Sequence, residues 1–346
     1  MAFLMATSVS ATTKRIVTPL FLKNIGIRLA MGGLALEILT YNTSFNKWVY
    51  GYGIAFFVLG LGALFYAWSR IGVKPFAKIK EPLANGSAIA KFARYSILTT
   101  LVGFGLSTID MQMLALLTGM DNVGIYSIAF FIGTVMDGVR RPINQMLAPQ
   151  IAQGWNTNNR AVVLKLYQKT SIVQMIFNAA FIILVLSNLP FIFSLIPDGQ
   201  RFDSAMPVVF WILLGRFIDT SFGSNGEIIG NSPYYRFNLY ISSLLILMVI
   251  VLNLYFIPEY GILGVAYSSV ISLLLFNLSR FAFIYYKTKM QPFTMQTMAV
   301  ICIALLTGAI TYFIPLEGFL GAVCKSAVIA TVGGIFHKSI LRIIKA

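Results

Sequence analysis

Residues 237–286 read FNLYISSLLILMVIVLNLYF–IPEYG–ILGVAYSSVISLLLFNLSRFAFIYY, and across those fifty positions only Glu259 and Arg280 carry charge. Each flank is 20 or 25 residues long. At about 1.5 Å per helical residue, either one spans the roughly 30 Å hydrocarbon core of a bilayer. The apolar runs are continuous and do not alternate, which excludes a transmembrane β-barrel and leaves the α-helix, whose backbone satisfies itself in lipid. Pro258 and Gly261 predict a short turn, so the two helices form an antiparallel hairpin. Gly264, Ala266, Ser268 and Ser269 keep the second helix narrow where a neighbour approaches.

Working outward, the same pattern recurs. Crossings are predicted at 19–41, 48–69, 95–118, 123–147, 166–189, 205–229, 294–314 and 319–336, ten with the hairpin. The whole chain agrees: 346 residues, 58% hydrophobic, 11% charged, mean hydropathy +0.81. The expected fold is all-α, a polytopic membrane helical bundle. A polar linker at 70–94, with Lys74, Lys78, Lys80 and Lys91 around Pro82 and Gly86, separates two helical groups. The predicted organisation is 1–92, then a six-helix group at 93–289, then two further helices and a basic tail at 290–346.

The net charge of +15 does not form one basic face for nucleic acid; it gathers next to helix ends. Threading the chain through ten crossings puts Lys14, Arg15, the linker bases, Arg140, Arg141, Arg160, Lys165, Lys169, Arg236, Lys287, Lys289, Lys338, Arg342 and Lys345 on one side. The other side receives Lys47 and Arg201 with Asp121, Asp198, Asp203, Glu259 and Glu317. The positive side is cytoplasmic, so both termini are expected there.

Several chemistries have no residues to carry them. Cys302 and Cys324 lie inside apolar runs without ligand spacing, and the single histidine, His337, sits in the tail. There is no G-x-x-x-x-G-K-[ST] loop, no Asp-x-Asp pair and no H-E-x-x-H. No enzyme activity, cofactor or metal site is expected. Residues 1–18 are not expected to form a secretory leader, because Lys14 and Arg15 follow the short apolar run.

Two stretches carry a family resemblance. One is Val123-Gly124-Ile125-Tyr126-Ser127-Ile128-Ala129, continuing through Arg141-Pro142 to Leu147-Ala148-Pro149-Gln150-Ile151-Ala152. The other runs from Asn253 through Pro258 and Gly261 to Gly264-Val265-Ala266, and Ser232-Pro233-Tyr234-Tyr235-Arg236 fits the same pattern. Together they resemble the polysaccharide (O-antigen type) flippases of the multidrug/oligosaccharidyl-lipid/polysaccharide exporter superfamily. The resemblance implies two six-helix lobes around a cavity, MATE/flippase-like. Crossings three to eight then correspond to a complete second lobe, nine and ten to an extra pair, and one and two to the end of an incomplete first lobe lacking about four helices. It also implies a bacterial inner-membrane location and a lipid-linked oligosaccharide as passenger, with H+ or Na+ as a possible coupling ion and membrane lipids as the other partner.

Charges inside a bilayer are costly and mark function by default. The sixth crossing is richest: Arg216 lies about 17 Å along it, and Asp219, Asn225 and Glu227 continue toward its end. The functional reading makes Arg216 an attractor for a diphosphate, with Asp219 and Glu227 tuning it; the plainer one is an Arg216–Asp219 pair at i,i+3. Asp110, on the third crossing, reads as a cation site, a partner for Lys325 or an interhelical hydrogen-bond acceptor. Asp137 and Arg141 pair at i,i+4, which puts Arg140 on a different face as a weaker site candidate, and Pro142 is expected to kink or end that helix. Gln174 and Asn178, and likewise Asn277 and Arg280, read either as sugar-binding groups or as interhelical links. Arg28 and Glu37 do not face each other, and Trp48, Tyr50, Tyr234, Tyr235, Tyr285 and Tyr286 read as interfacial belt residues.

The expected function is leaflet transfer of an undecaprenyl-diphosphate-type oligosaccharide for surface polysaccharide biosynthesis. Three alternatives stand beside it: a cation-coupled multidrug antiporter, a membrane-embedded polysaccharide polymerase, and an inactive truncated remnant.

Overall fold

The computed structural model describes residues 18, 21–41, 45–71, 86–195, 204–316 and 318–345. Lys14, Arg15, Lys74, Lys78, Lys80, Asp198, Arg201, Asp203 and Glu317 fall outside them, as do the side chains of Glu37, Trp48, His337, Lys338, Arg342 and Lys345. The described residues are mostly helical, with no strand among them. Six helical segments are long and apolar enough to cross a membrane: Val49–Tyr66, Met120–Asn156, Arg160–Ser194, Arg236–Tyr260, Ile262–Thr288 and Met295–Tyr312. The chain is a multi-pass helical membrane protein.

It divides into two compact units, Met1–Gly86 and Ser87–Ala346, at a point inside the Lys-rich linker. In the first unit a π-helical turn, Leu22–Gly26, leads into α1 (Ile27–Tyr41), which packs on α2 (Phe45–Ile71). Ala63 of α2 is buried against Leu22, Ile27, Leu59 and Leu64.

The second unit holds α3 (Gly86–Thr118), α4 (Met120–Asn156), α5 (Arg160–Ser194), α6 (Met206–Ser221), α7 (Asn225–Gly230), α8 (Arg236–Tyr260), α9 (Ile262–Thr288), α10 (Met295–Tyr312) and α11 (Gly318–Lys345). α8 pairs with α9, α9 with α6, and α4 with both α5 and α6; α10 and α11 lie on α5. The α8–α9 reversal differs from expectation. α8 continues through Pro258 to Tyr260, and Gly261 alone turns the chain at φ 57°. A proline in the last turn still leaves the reversal to the one residue that adopts positive φ freely.

Of the two outcomes expected at Pro142, an end to the helix does not occur: α4 passes through Pro142 and Pro149. Each proline removes one backbone N–H, a loss that transmembrane helices tolerate when neighbours satisfy the freed carbonyl.

The core of this unit is layered. One apolar layer joins Leu114, Tyr126, Met136, Val185, Phe193, Val208, Leu213, Ile257 and Val265. A second joins Ile151, Val163, Tyr167, Ile228, Ile229, Ile284 and Met290. Between them α4, α5, α6–α7 and α9 turn polar: residues 137–144 on α4, 170–178 on α5, 216–227 on α6 and α7, and 277–280 on α9. Lipid gives no hydrophobic incentive for helices to associate, so close packing and interhelical hydrogen bonds at this level hold the bundle.

Candidate functional site

The polar layer forms where the sixth predicted crossing breaks. The expected continuous helix over 205–229 is instead α6, three irregular residues and α7, with Gly223 at φ 61°. A Cβ on Gly223 would lie 2.9 Å from Ser171 N and from Thr170 Oγ1, so α5 presses directly on the bend. Local hydroxyls bond carbonyls in the last turn of α6 and at its end. Thr220 Oγ1 donates to Arg216 O, Ser221 Oγ to Phe217 O, and Ser171 Oγ to Ser221 O. Ser224 N donates to Thr170 Oγ1 at 3.2 Å, and Ser224 Oγ to Asn144 Oδ1 at 2.7 Å. Ser and Thr, weak helix formers in water, are the residues that close such a break from their own side chains.

Around the bend runs an ionic network across α4, α6, α7 and α9. Arg140 Nη1 donates to Asp219 Oδ2, and Arg140 Nε lies 3.4 Å from Asp137 Oδ1. Arg216 Nη1 reaches Asp137 Oδ2 at 3.5 Å, and Arg141 Nη2 reaches the same oxygen at 3.6 Å. Asn277 Nδ2 donates to Asp219 Oδ1 at 2.9 Å, and Asn225 Nδ2 to Asn277 Oδ1 at 2.8 Å. The two carboxylate side chains are 8% exposed, Arg216 19%, Arg140 28% and Arg141 72%.

Two expectations are corrected here. Arg216 and Asp219 do not pair with each other; each crosses to α4, Arg216 to Asp137 and Asp219 to Arg140. α4 offers the opposite charges at the same i,i+3 spacing, so facing helices satisfy both pairs without bending either side chain back along its own axis. Nor does Arg140 sit on a different face from Asp137: it bridges Asp137 and Asp219, and is the central cation. Close approach makes this possible, because a Cβ on Gly133 of α4 would lie 2.6 Å from Ile212 Cγ2 of α6. Arg216 also lies 5.5 Å from the centre of the Phe130 ring.

Arg280 adds a further cation. Its Cζ lies 3.9 Å over the Phe276 ring and a Cβ on Gly226 would lie 3.0 Å from its Nη1, while its Nε is buried without a hydrogen-bond acceptor. Glu227 is within electrostatic reach of Arg280 and Arg140. The network thus carries four arginines against three carboxylates. Gln174 adjoins it, donating from Nε2 to Asn144 Oδ1 at 3.3 Å. Gln174 Oε1 and Asn178 Nδ2, one turn apart on α5, are both buried without partners.

The remaining predicted residues lie elsewhere. Asp110 does not meet Lys325. Its Oδ1 accepts from Asn253 Nδ2 and its Oδ2 from Ser269 Oγ, both at 2.9 Å, which is the interhelical reading. Lys325 Nζ instead donates to Ser187 O at 3.2 Å, fastening α11 to α5. Arg28 is exposed on α1. The sequence does not mark Asn144 or Asn253 as a site residue; the available signal is a lone amide at helical spacing from a buried charge or inside an apolar run. Among the described residues no group of three or more His, Cys, Asp or Glu gathers to hold a metal ion.

What this arrangement can do is hold a negatively charged group in a membrane interior, using guanidinium groups already oriented by carboxylates and amides. No protein-family model matches the chain, and no curated protein matches it.

Proposed function

We propose that this chain transports a lipid-linked oligosaccharide, of the undecaprenyl-diphosphate type, from the cytoplasmic to the outer leaflet of a bacterial inner membrane for surface polysaccharide biosynthesis. One observation carries this reading: a polar layer deep in an apolar bundle holds Arg140 and Arg216 against Asp137 and Asp219, and the Nε of Arg280 lacks an acceptor. Three guanidinium groups in a low-dielectric slab, those of Arg140, Arg216 and Arg280, lower the cost of passing a diphosphate through it. Arg216, Arg140 and Arg280 receive the phosphates, and Asp137, Asp219 and Glu227 hold the arginines between passengers. Gln174 Oε1 and Asn178 Nδ2, with unspent hydrogen-bonding capacity, suit sugar hydroxyls.

In this proposal the chain crosses ten times with both termini cytoplasmic, in the two-lobed MATE/flippase-like plan that its motifs resemble. Transport proceeds by alternating access, and a cation supplies the coupling. The broken α6–α7 segment belongs on the cavity wall, since non-helical backbone at membrane depth is tolerated only in protein or beside water. The test is oligosaccharide translocation in proteoliposomes. Arg216→Ala and Arg140→Ala should each slow it by about tenfold or more while the protein stays monodisperse. Unchanged rates in both variants reject the site, and no translocation by the unmodified chain rejects the function.

A further inference from the structure

α8 begins with a base where helix physics favours an acid. Arg236 is its first residue, and no acidic residue lies in its first turn, so a cation there meets the positive pole of the helix dipole. Among the described residues no carboxylate forms an ion pair with Arg236, nor with Lys287 and Lys289 where α9 ends. Aromatic rings hold these cations instead. The Arg236 guanidinium lies 5.4 Å from the centre of the Tyr95 ring of α3 and 6.0 Å from that of Tyr235. Lys287 Nζ lies 5.8 Å from the Tyr234 ring and 5.4 Å from the Tyr286 ring, and Lys289 Nζ lies 5.3 Å from the Tyr285 ring. The rim is anchored to the bundle. Tyr234 meets Phe283 edge-on, and Phe283 stacks on Phe237 at 3.8 Å, which fixes the start of α8 against the end of α9.

The second observation is the surface that continues from the rim. Arg236, Tyr240, Leu244, Leu247 and Val251 recur every three or four residues, so they share one face of α8, and all five are exposed. Apart from the Tyr240 hydroxyl, the stripe beyond Arg236 is wholly apolar. Arg236 and Leu247 are eleven residues apart. At about 1.5 Å per residue that is about 17 Å, close to the roughly 15 Å of hydrocarbon in one leaflet.

We infer that this rim binds an anionic phospholipid, its phosphate held by Arg236 and Lys287 and an acyl chain lying along the exposed stripe of α8. The chemistry selects the occupant. A soluble anion would answer the bases and leave the stripe unused. A zwitterionic lipid would cover the stripe but bring its own cation against Arg236 and Lys287. An anionic headgroup answers both, and it neutralises a base that the α8 dipole opposes. Bases and tyrosines near helix ends are common to membrane proteins; here they are fixed on one another by rings from three helices, at the head of one continuous stripe. None of this depends on the transport reading above.

The experiment uses the full chain in a neutral detergent, titrated with phosphatidylglycerol or phosphatidylcholine, with retained lipid counted by native mass spectrometry. Saturable, preferential retention of phosphatidylglycerol is expected, weakened about fivefold by Arg236→Gln and about fivefold by Lys287→Gln. Lys165→Gln removes an exposed base of α5 that lies over none of these rings, and it should leave retention unchanged. Phosphatidylglycerol should also raise the melting temperature of the unmodified protein more than that of Arg236→Gln. Millimolar glycerol phosphate, which has the headgroup without the chains, should not displace the lipid. The inference is overturned if phosphatidylcholine is retained equally, if monodisperse Arg236→Gln and Lys287→Gln bind normally, or if Lys165→Gln weakens retention as much as they do. It also fails if glycerol phosphate displaces the lipid, or if undecaprenyl phosphate is retained in preference to phosphatidylglycerol.

Discussion

Arg140→Leu should be the most damaging single change in the polar layer, and its partner substitution should be milder. Arg140 bridges two carboxylates. Without it, Asp219 keeps one hydrogen-bond donor, the neutral Asn277 amide at 2.9 Å, with Arg216 and Arg280 acting on it only at longer range, whereas Asp137 retains Arg216 at 3.5 Å and Arg141 at 3.6 Å. Stranding one member of a buried pair costs about 3–5 kcal/mol, and the partial exposure of Arg140 puts the expected loss near 3 kcal/mol. Asp219→Leu leaves Arg140 its contact with Asp137, so a loss of about 1–2 kcal/mol is expected. The double variant removes the stranded charge and should be more stable than Arg140→Leu alone, with a coupling of about 2 kcal/mol. Equilibrium unfolding in mixed micelles, with SDS as denaturant and tryptophan fluorescence as signal, measures all four corners of the cycle. If Asp219→Leu proves as costly as Arg140→Leu, or if the double variant regains nothing, Arg140 is not the bridge between α4 and α6.

Three further outcomes follow from the same geometry. Gly223→Ala must take a left-handed backbone and push a methyl group onto the α5 backbone, so a loss of about 2–3 kcal/mol is expected in the same unfolding assay. Arg141→Ala, whose side chain is 72% exposed, should change stability by less than about 1 kcal/mol and leave translocation unaltered. Lys325→Leu loses the bond to Ser187 O; faster hydrogen exchange confined to Gly318–Lys345 is expected, with a global loss of about 1 kcal/mol.

The helices were legible because membrane insertion is written locally. Twenty consecutive apolar residues span a bilayer whatever surrounds them, so crossings such as 237–256 and 262–286 appear in the structure within a few residues of where the sequence places them. The identities of the polar residues were legible for the same reason: a charge inside an apolar run stands out, and Arg216, Asp219, Arg280 and Asp110 were all visible. Their partners were not. Spacing along one helix favoured Arg216 with Asp219 and Asp137 with Arg141, and only the second of these pairs forms.

Sequence by itself therefore determined a helical membrane protein, the approximate extent of its helices and which residues bear buried charge, since each depends on neighbours in the chain. Tertiary structure alone decided that Arg140 joins α4 to α6, that the sixth crossing breaks at Gly223 against α5, and that Asp110 meets Asn253 and Ser269. Those contacts depend on which helix faces lie opposite one another, and at residue 133 the interhelical distance is governed by the absence of a single side chain. Pairing across helices is a property of distances that no one-dimensional spacing contains.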